Sequence, residues 1–158
     1  MTEKIQTFAP HDHQSCIHSA MNVAEETCAS RKVQLTPVRR RVLEILLESH
    51  VAMGAYDVLA RLDAEGLGSK PPVAYRALAF LVEQGFVHRI ERLNAFVACN
   101  HPGASHDPAF MICRSCHKVA EADAGNAVLN SPASQSGFTI EQTVIEAEGL
   151  CPSCKEST

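Results

Sequence analysis

Seven cysteines lie in this chain of 158 residues, and four of them fall in two Cys-x-x-Cys pairs, Cys113 with Cys116 and Cys151 with Cys154. In each knuckle, two thiolates three positions apart can take adjacent corners of a tetrahedron. Two knuckles then complete a four-sulfur shell for zinc. The 34 residues between them exceed the usual zinc-ribbon spacing and leave room for a helix and a strand. A closed four-thiolate shell has no vacancy for a reacting molecule, so this cluster reads as scaffolding. Such an ion contributes about 10–16 kcal/mol of apparent binding energy to folding. The competing reading, two unrelated thiol pairs, leaves a small domain without a staple.

A second group of donors lies just upstream: His88, Cys99, His101, His106 and Glu121. The segment "FVHRIERLNAFVAC" alternates in the manner of a strand, a turn and a strand. With the turn centred on Leu93–Asn94, His88 stands directly opposite Cys99, their Cβ atoms about 4.5–5.5 Å apart. His106 follows on the next loop, and Glu121 lies on the strand after the first knuckle. One thiolate, two imidazoles and one carboxylate make a tetrahedral set, and the thiolate favours zinc over iron(II) or manganese(II). His101, Asp107 and His117 are alternatives for the same places, whereas Glu146 and Glu148 read as a solvated strand face. Spacing alone leaves open the plainer reading, in which Cys99 is a buried strand thiol and His88 a half-exposed wing residue.

These donors must be held by two kinds of unit. Residues 1–14 read as a disordered tail in which His11 and His13 bind metal weakly if at all. From Ser15 to about Arg31, Ile17, Met21, Ala24 and Cys28 share one helical face, so Cys28 is expected in a core and Cys16 at the surface. "LTPVRRRVLEILLES" opens with Thr36 as a cap and Pro37 in the first turn. "GAYDVLARLDAEGLG" is a third helix, stopped at Gly66. "KPPVAYRALAFLVEQG" is a fourth, opened by Pro71–Pro72 and closed at Gly85. Helices followed by a hairpin form the winged-helix pattern, in which the last helix enters the major groove and the wing touches the backbone.

Beyond Cys99 the chain becomes a loop, "NHPGASHDP", and then a small α/β unit. "AFMIC" and "KVAEA" read as strands flanking the first knuckle, and "FTIEQTVIEAEGLC" as a long strand. The helix expected near 125–137 is weakened by Pro132. The fold class is therefore α+β. A tail over 1–14 precedes a winged-helix DNA-binding domain over 15–99. A hinge loop over 100–108 leads to a dimerisation and metal-binding domain over 109–158.

Charge follows the same division. The net charge is −4, yet residues 31–92 carry ten Lys/Arg against seven Asp/Glu, and residues 93–158 carry three against seven. A basic first half suits a DNA-facing surface. Composition is otherwise ordinary, with 46% apolar and 20% charged residues. No run approaches the length of a membrane span, and the N-terminus lacks the apolar stretch of a signal peptide. The cytoplasm is the expected compartment, where cysteines serve metal or redox chemistry rather than crosslinks. An enzyme built on Cys99 as nucleophile and His88 as base lacks any accompanying oxyanion-hole motif or phosphate loop.

The segments "LTPVRRRVLEIL", "AYDVLARL", "KPPVAYRALAFLVEQGFVHRIERLNAFVAC", "HDPAFMICRSCHKVAEA" and "VIEAEGLCPSC" together resemble the zinc uptake regulators, a branch of the ferric uptake regulator superfamily, over nearly all of residues 15–154. The resemblance implies a homodimeric, zinc-responsive repressor of zinc-import genes that reads double-stranded operator DNA, expected to be a pseudo-palindrome, and takes no small-molecule substrate. It implies at least two zinc ions per subunit. The structural ion falls on Cys113, Cys116, Cys151 and Cys154, and the regulatory ion on His88, Cys99, His106 and Glu121. DNA contacts fall on Arg39, Tyr56, Tyr75 and Arg76. Val73-Ala74 stands where the family usually has Thr-Val, so a hydroxyl is missing from the recognition helix. An iron- or peroxide-responsive repressor of the same superfamily is the alternative.

Overall fold

A computed structural model describes residues 6–8, 12–102, 107–123 and 127–157. They divide into two units, one of residues 12–102 and one that joins residues 6–8 to the C-terminal residues from 107 onward.

The first unit is helical up to its hairpin. Helix α1 runs His13–Arg31, two residues earlier than its apolar stripe suggests, because Asp12 caps it by accepting from the Ser15 amide. Met21, Ala24 and Cys28 are its buried face, and desolvation pushes the Cys28 thiol up. Helix α2, Pro37–Leu47, starts as its sequence dictates: Thr36 accepts from the Arg39 amide at 3.3 Å. Helices α3, Ala55–Ala64, and α4, Pro71–Glu83, follow. Val42, Ile45, Val58, Leu62, Ala74, Leu78 and Leu81 from these helices close one core with Phe86 and Phe96.

Strands β1, Val87–Ile90, and β2, Ala95–Ala98, form the antiparallel hairpin. Its register differs from the symmetric expectation. Ile90 pairs with Ala95, and a single 3-10 turn over Glu91–Leu93 ends at Asn94 in the left-handed region, φ 46°. The loop therefore holds four residues, and His88 faces Val97 rather than Cys99. Cys99 lies opposite Phe86, with its amide donating to the Phe86 carbonyl at 2.9 Å.

The second unit is built on a three-stranded sheet of order β4-β3-β5. Strand β3, Pro108–Cys113, pairs antiparallel with β4, Val119–Asp123, and parallel with β5, Ile145–Gly149. The strand read from the sequence as long is confined to β5. Helix α5, Ala127–Ser136, runs through Pro132 without ending there. A short helix α6, Pro152–Glu156, which the sequence reading did not anticipate, closes the chain. Gln6–Phe8 form a 3-10 turn that packs on β4, with Thr7 buried.

Candidate metal centres and nucleic-acid face

The four-thiolate cluster follows from the parallel pairing. Strands β3 and β5 leave the sheet at the same end, and Cys113 is the register partner of Gly149. The Arg114 amide donates to the Gly149 carbonyl at 2.8 Å, which sets the second knuckle beside the first. The first knuckle is a tight turn. His117 takes a left-handed conformation, φ 61°, and its amide donates to the Cys113 carbonyl at 2.9 Å. In the second, Cys151 sits at the start of α6 and accepts from the Lys155 amide through its carbonyl.

The four sulfurs lie within 4.8 Å of one another, and Cys116 Sγ is 3.7 Å from Cys151 Sγ. A tetrahedron with Zn–S bonds of about 2.3 Å has edges of about 3.8 Å, so the donor set fits zinc closely. None of the seven cysteines is in a disulfide. Amide donors prepare the site for charge. The backbone N–H groups of Cys116 and Cys151 bring the Cys113 thiol down to about 5, the Cys151 amide donating to its sulfur at 3.4 Å. Burial pushes Cys116 the other way, up to about 11. The amides thus favour the thiolate at Cys113, while burial favours the protonated thiol at Cys116. The sequence identified these four residues; the amides that bias them depend on turn geometry and carried no signal there.

In the first unit, His88 and Cys99 are diagonal rather than direct neighbours, yet still on one face, since an offset of two keeps the side chains together. Their ligand atoms lie within 4.8 Å of each other. Cys99 is 3% exposed, and its sulfur accepts from the His101 amide at 3.3 Å. Glu121, on β4 of the other unit, is a buried carboxylate, 8% exposed, in register with Phe110. His106 lies outside the described residues. Of the alternatives, His101, Asp107 and His117 are all exposed.

The residues expected to meet DNA divide into two groups. Tyr56 on α3 and Tyr75 on α4 are 66% and 47% exposed, with their rings edge to face at 6.4 Å. Arg76 beside them is exposed and makes no ion pair among the described residues. The arginine run is committed differently. The Arg39 guanidinium lies 3.8 Å over the Phe80 ring and donates to the Gln34 carbonyl at 2.6 Å. Arg40 pairs with Glu25. Arg41 is bound to Glu65, Glu44 and Glu48, and Arg61 also reaches Glu48. That network holds the Glu65 carboxyl below the usual carboxylate range. Much of the basic excess of the first half is therefore spent within the protein, and the exposed cation of interest is on α4.

Helices leading into a wing hairpin, joined in one chain to a sheet domain that carries a four-thiolate cluster, define a metal-binding winged-helix regulator. The chain belongs to the ferric uptake regulator family, whose sequence profile matches residues 30–147; it is a transcription regulator and not an enzyme. The zinc uptake regulation protein of Escherichia coli (strain K12) is 42% identical over 136 residues, covering 84% of this chain and 80% of that one. A zinc uptake regulator solved in complex with zinc and DNA is 40% identical, with a TM-score of 0.84 over 89% of this chain and 96% of that one. The holo form of XcZur is 37% identical, with a TM-score of 0.78 over 87% and 98%. No helix among the described residues is long and apolar enough to cross a membrane.

Proposed function

We propose that this protein is a zinc-responsive repressor that binds operator DNA as a homodimer and limits the expression of zinc-uptake genes. The observation that carries this reading is the pairing of His88 and Cys99 on one face of the wing hairpin, within 4.8 Å, in a chain that already has a separate four-thiolate cluster. A closed shell of thiolates serves folding; a mixed site with a thiolate and an imidazole is suited to reversible sensing. In this proposal His106, from the connection between the units, and Glu121, from β4, complete the regulatory set. Each ligand then comes from an element whose position matters for DNA reading, so occupancy favours one arrangement of the reading heads. Zinc shifts that equilibrium only by as much as it binds the competent arrangement more tightly. Two half-sites about 34–36 Å apart, or a multiple, are then read at once.

Arg76 is the proposed base reader, through guanine O6 and N7, with Tyr75 and Tyr56 on neighbouring thymine methyls or phosphates. Arg39 has a more limited role: its ring contact and carbonyl bond leave only its remaining N–H groups for a phosphate. The alternative effectors are iron and peroxide. The thiolate of Cys99 argues for zinc. The test is operator binding by the purified protein with its four-cysteine zinc in place, supplied in turn with zinc, iron(II) and manganese(II) at buffered free concentrations. Binding at the lowest free concentration with zinc is expected. Preferential activation by iron(II), or loss of binding on peroxide treatment alone, would assign the protein to the other branch.

A further inference from the structure

One arginine of the run on α2 serves three carboxylates at once. Arg41 Nε donates to both Glu65 oxygens, at 3.0 and 2.8 Å, and its Nη2 donates to Glu65 Oε1 at 2.6 Å. Its Nη1 reaches Glu44 at 3.2 Å and its Nη2 reaches Glu48 at 3.4 Å. Glu48 is held in turn by Arg61 of α3 at 2.7 Å. Glu48 caps the end of α2 and Glu65 the end of α3. The two helices are therefore tied at two points, each by an arginine of one helix on the terminal carboxylate of the other. Only a planar guanidinium can grip a carboxylate with two nitrogens in this way.

The place of Glu65 gives the grip its consequence. It is the first residue of the connection over 65–70 that leads into α4. That connection has little restraint of its own, since Gly66 and Gly68 both take positive φ, +72° and +143°. The start of α4 is not fixed by a local cap either. Lys70 makes no side-chain cap bond, and Pro71 and Pro72 carry no amide to receive one. We propose that Arg41 is a positioning residue for operator recognition: it anchors Glu65, and through residues 65–70 it sets the direction in which α4 presents Tyr75 and Arg76. Its part in DNA binding is internal, unlike the phosphate contact that a basic run suggests. The inference rests on the reading of α4 as the helix that meets DNA.

The experiment compares operator binding at saturating zinc by the wild-type chain, Arg41→Gln, Glu65→Gln and the double variant, each at several salt concentrations. Each single substitution is expected to lower affinity about threefold to tenfold, and the double variant no further, because both remove one interaction. The salt dependence stays that of the wild type, because no phosphate contact is lost. Arg41→Lys keeps the charge without the fork and is expected to behave as Arg41→Gln. Glu65→Gln is the decisive arm. It removes a negative charge and releases Arg41, so an arginine acting on phosphate predicts tighter binding, whereas the positioning role predicts weaker binding. Unchanged or tighter binding by Glu65→Gln, additive losses in the double variant, or a shallower salt dependence in Arg41→Gln overturns the proposal. Where circular dichroism shows Arg41→Gln to be unfolded, the sign of the Glu65→Gln effect decides alone. A wild-type chain that binds no operator at any zinc concentration overturns the regulator reading as well; a wild-type chain that binds while Glu65→Gln matches it overturns the positioning role only.

Discussion

The sulfur of Cys113 and that of Cys116, in one turn, are biased in opposite directions. Amide donors bring the first down to about 5, and burial pushes the second up to about 11. Between those limits a proton on Cys116 competes with zinc, and raising the pH removes the competitor. Zinc affinity of the four-thiolate site in the metal-free chain is therefore expected to increase with pH across the range from about 6 to about 8. A chelator competition at three pH values measures it; a flat profile contradicts the assigned proton. At the proposed DNA face, Arg76 is exposed and has no ion pair among the described residues to give up. Arg76→Ala is expected to cost about 1–3 kcal/mol of operator binding and to relax preference at one base pair. A uniform loss across all sequences, together with a shallower salt dependence, would make it a phosphate contact instead.

At the scale of elements, the turn into α4 governs how the recognition helix starts. Gly68 has φ +143°, and a Cβ there would meet Val73 Cγ1 at 2.8 Å. Val73 is half-buried and Ala74 fully so, which places the missing hydroxyl of this segment against the protein as much as against DNA. Gly68→Ala is expected to lower stability by about 1–3 kcal/mol, read by denaturant unfolding, and to weaken operator binding through the tilt of α4. Unchanged stability would mean that the loop relaxes without disturbing Val73. Much at this scale was legible in the sequence. Thr36, Pro37, Gly66 and Gly85 mark helix ends because caps and breakers act locally. The hairpin register was not, because it depends on Asn94 entering the left-handed region and lengthening the loop to four residues. Pro132 weakens the sequence signal for helix α5, yet the helix continues through that residue. The fate of the arginine run was also hidden, since its partners Glu25 and Glu65 are distant in sequence.

Across the whole molecule, the cysteines and histidines divide by chemistry into two candidate metal sites. Four thiolates at one end of a parallel strand pair hold a small domain together. In the proposed function, a mixed set that begins with His88 and Cys99 on the wing makes DNA binding answer to zinc. The four-thiolate set was readable from residue types and spacing, and of the second set the diagonal placement keeps His88 and Cys99 on one face despite the shifted register. The measurement closest to the central claim is operator mobility shift across a buffered free-zinc series, run in parallel on the wild-type chain and on Cys99→Ser. Zinc-dependent binding in the wild type, and a folded Cys99→Ser protein that keeps its four-thiolate zinc but no longer responds, is the predicted pair of results. A Cys99→Ser protein that gains operator affinity over the same zinc range as the wild type would contradict the account.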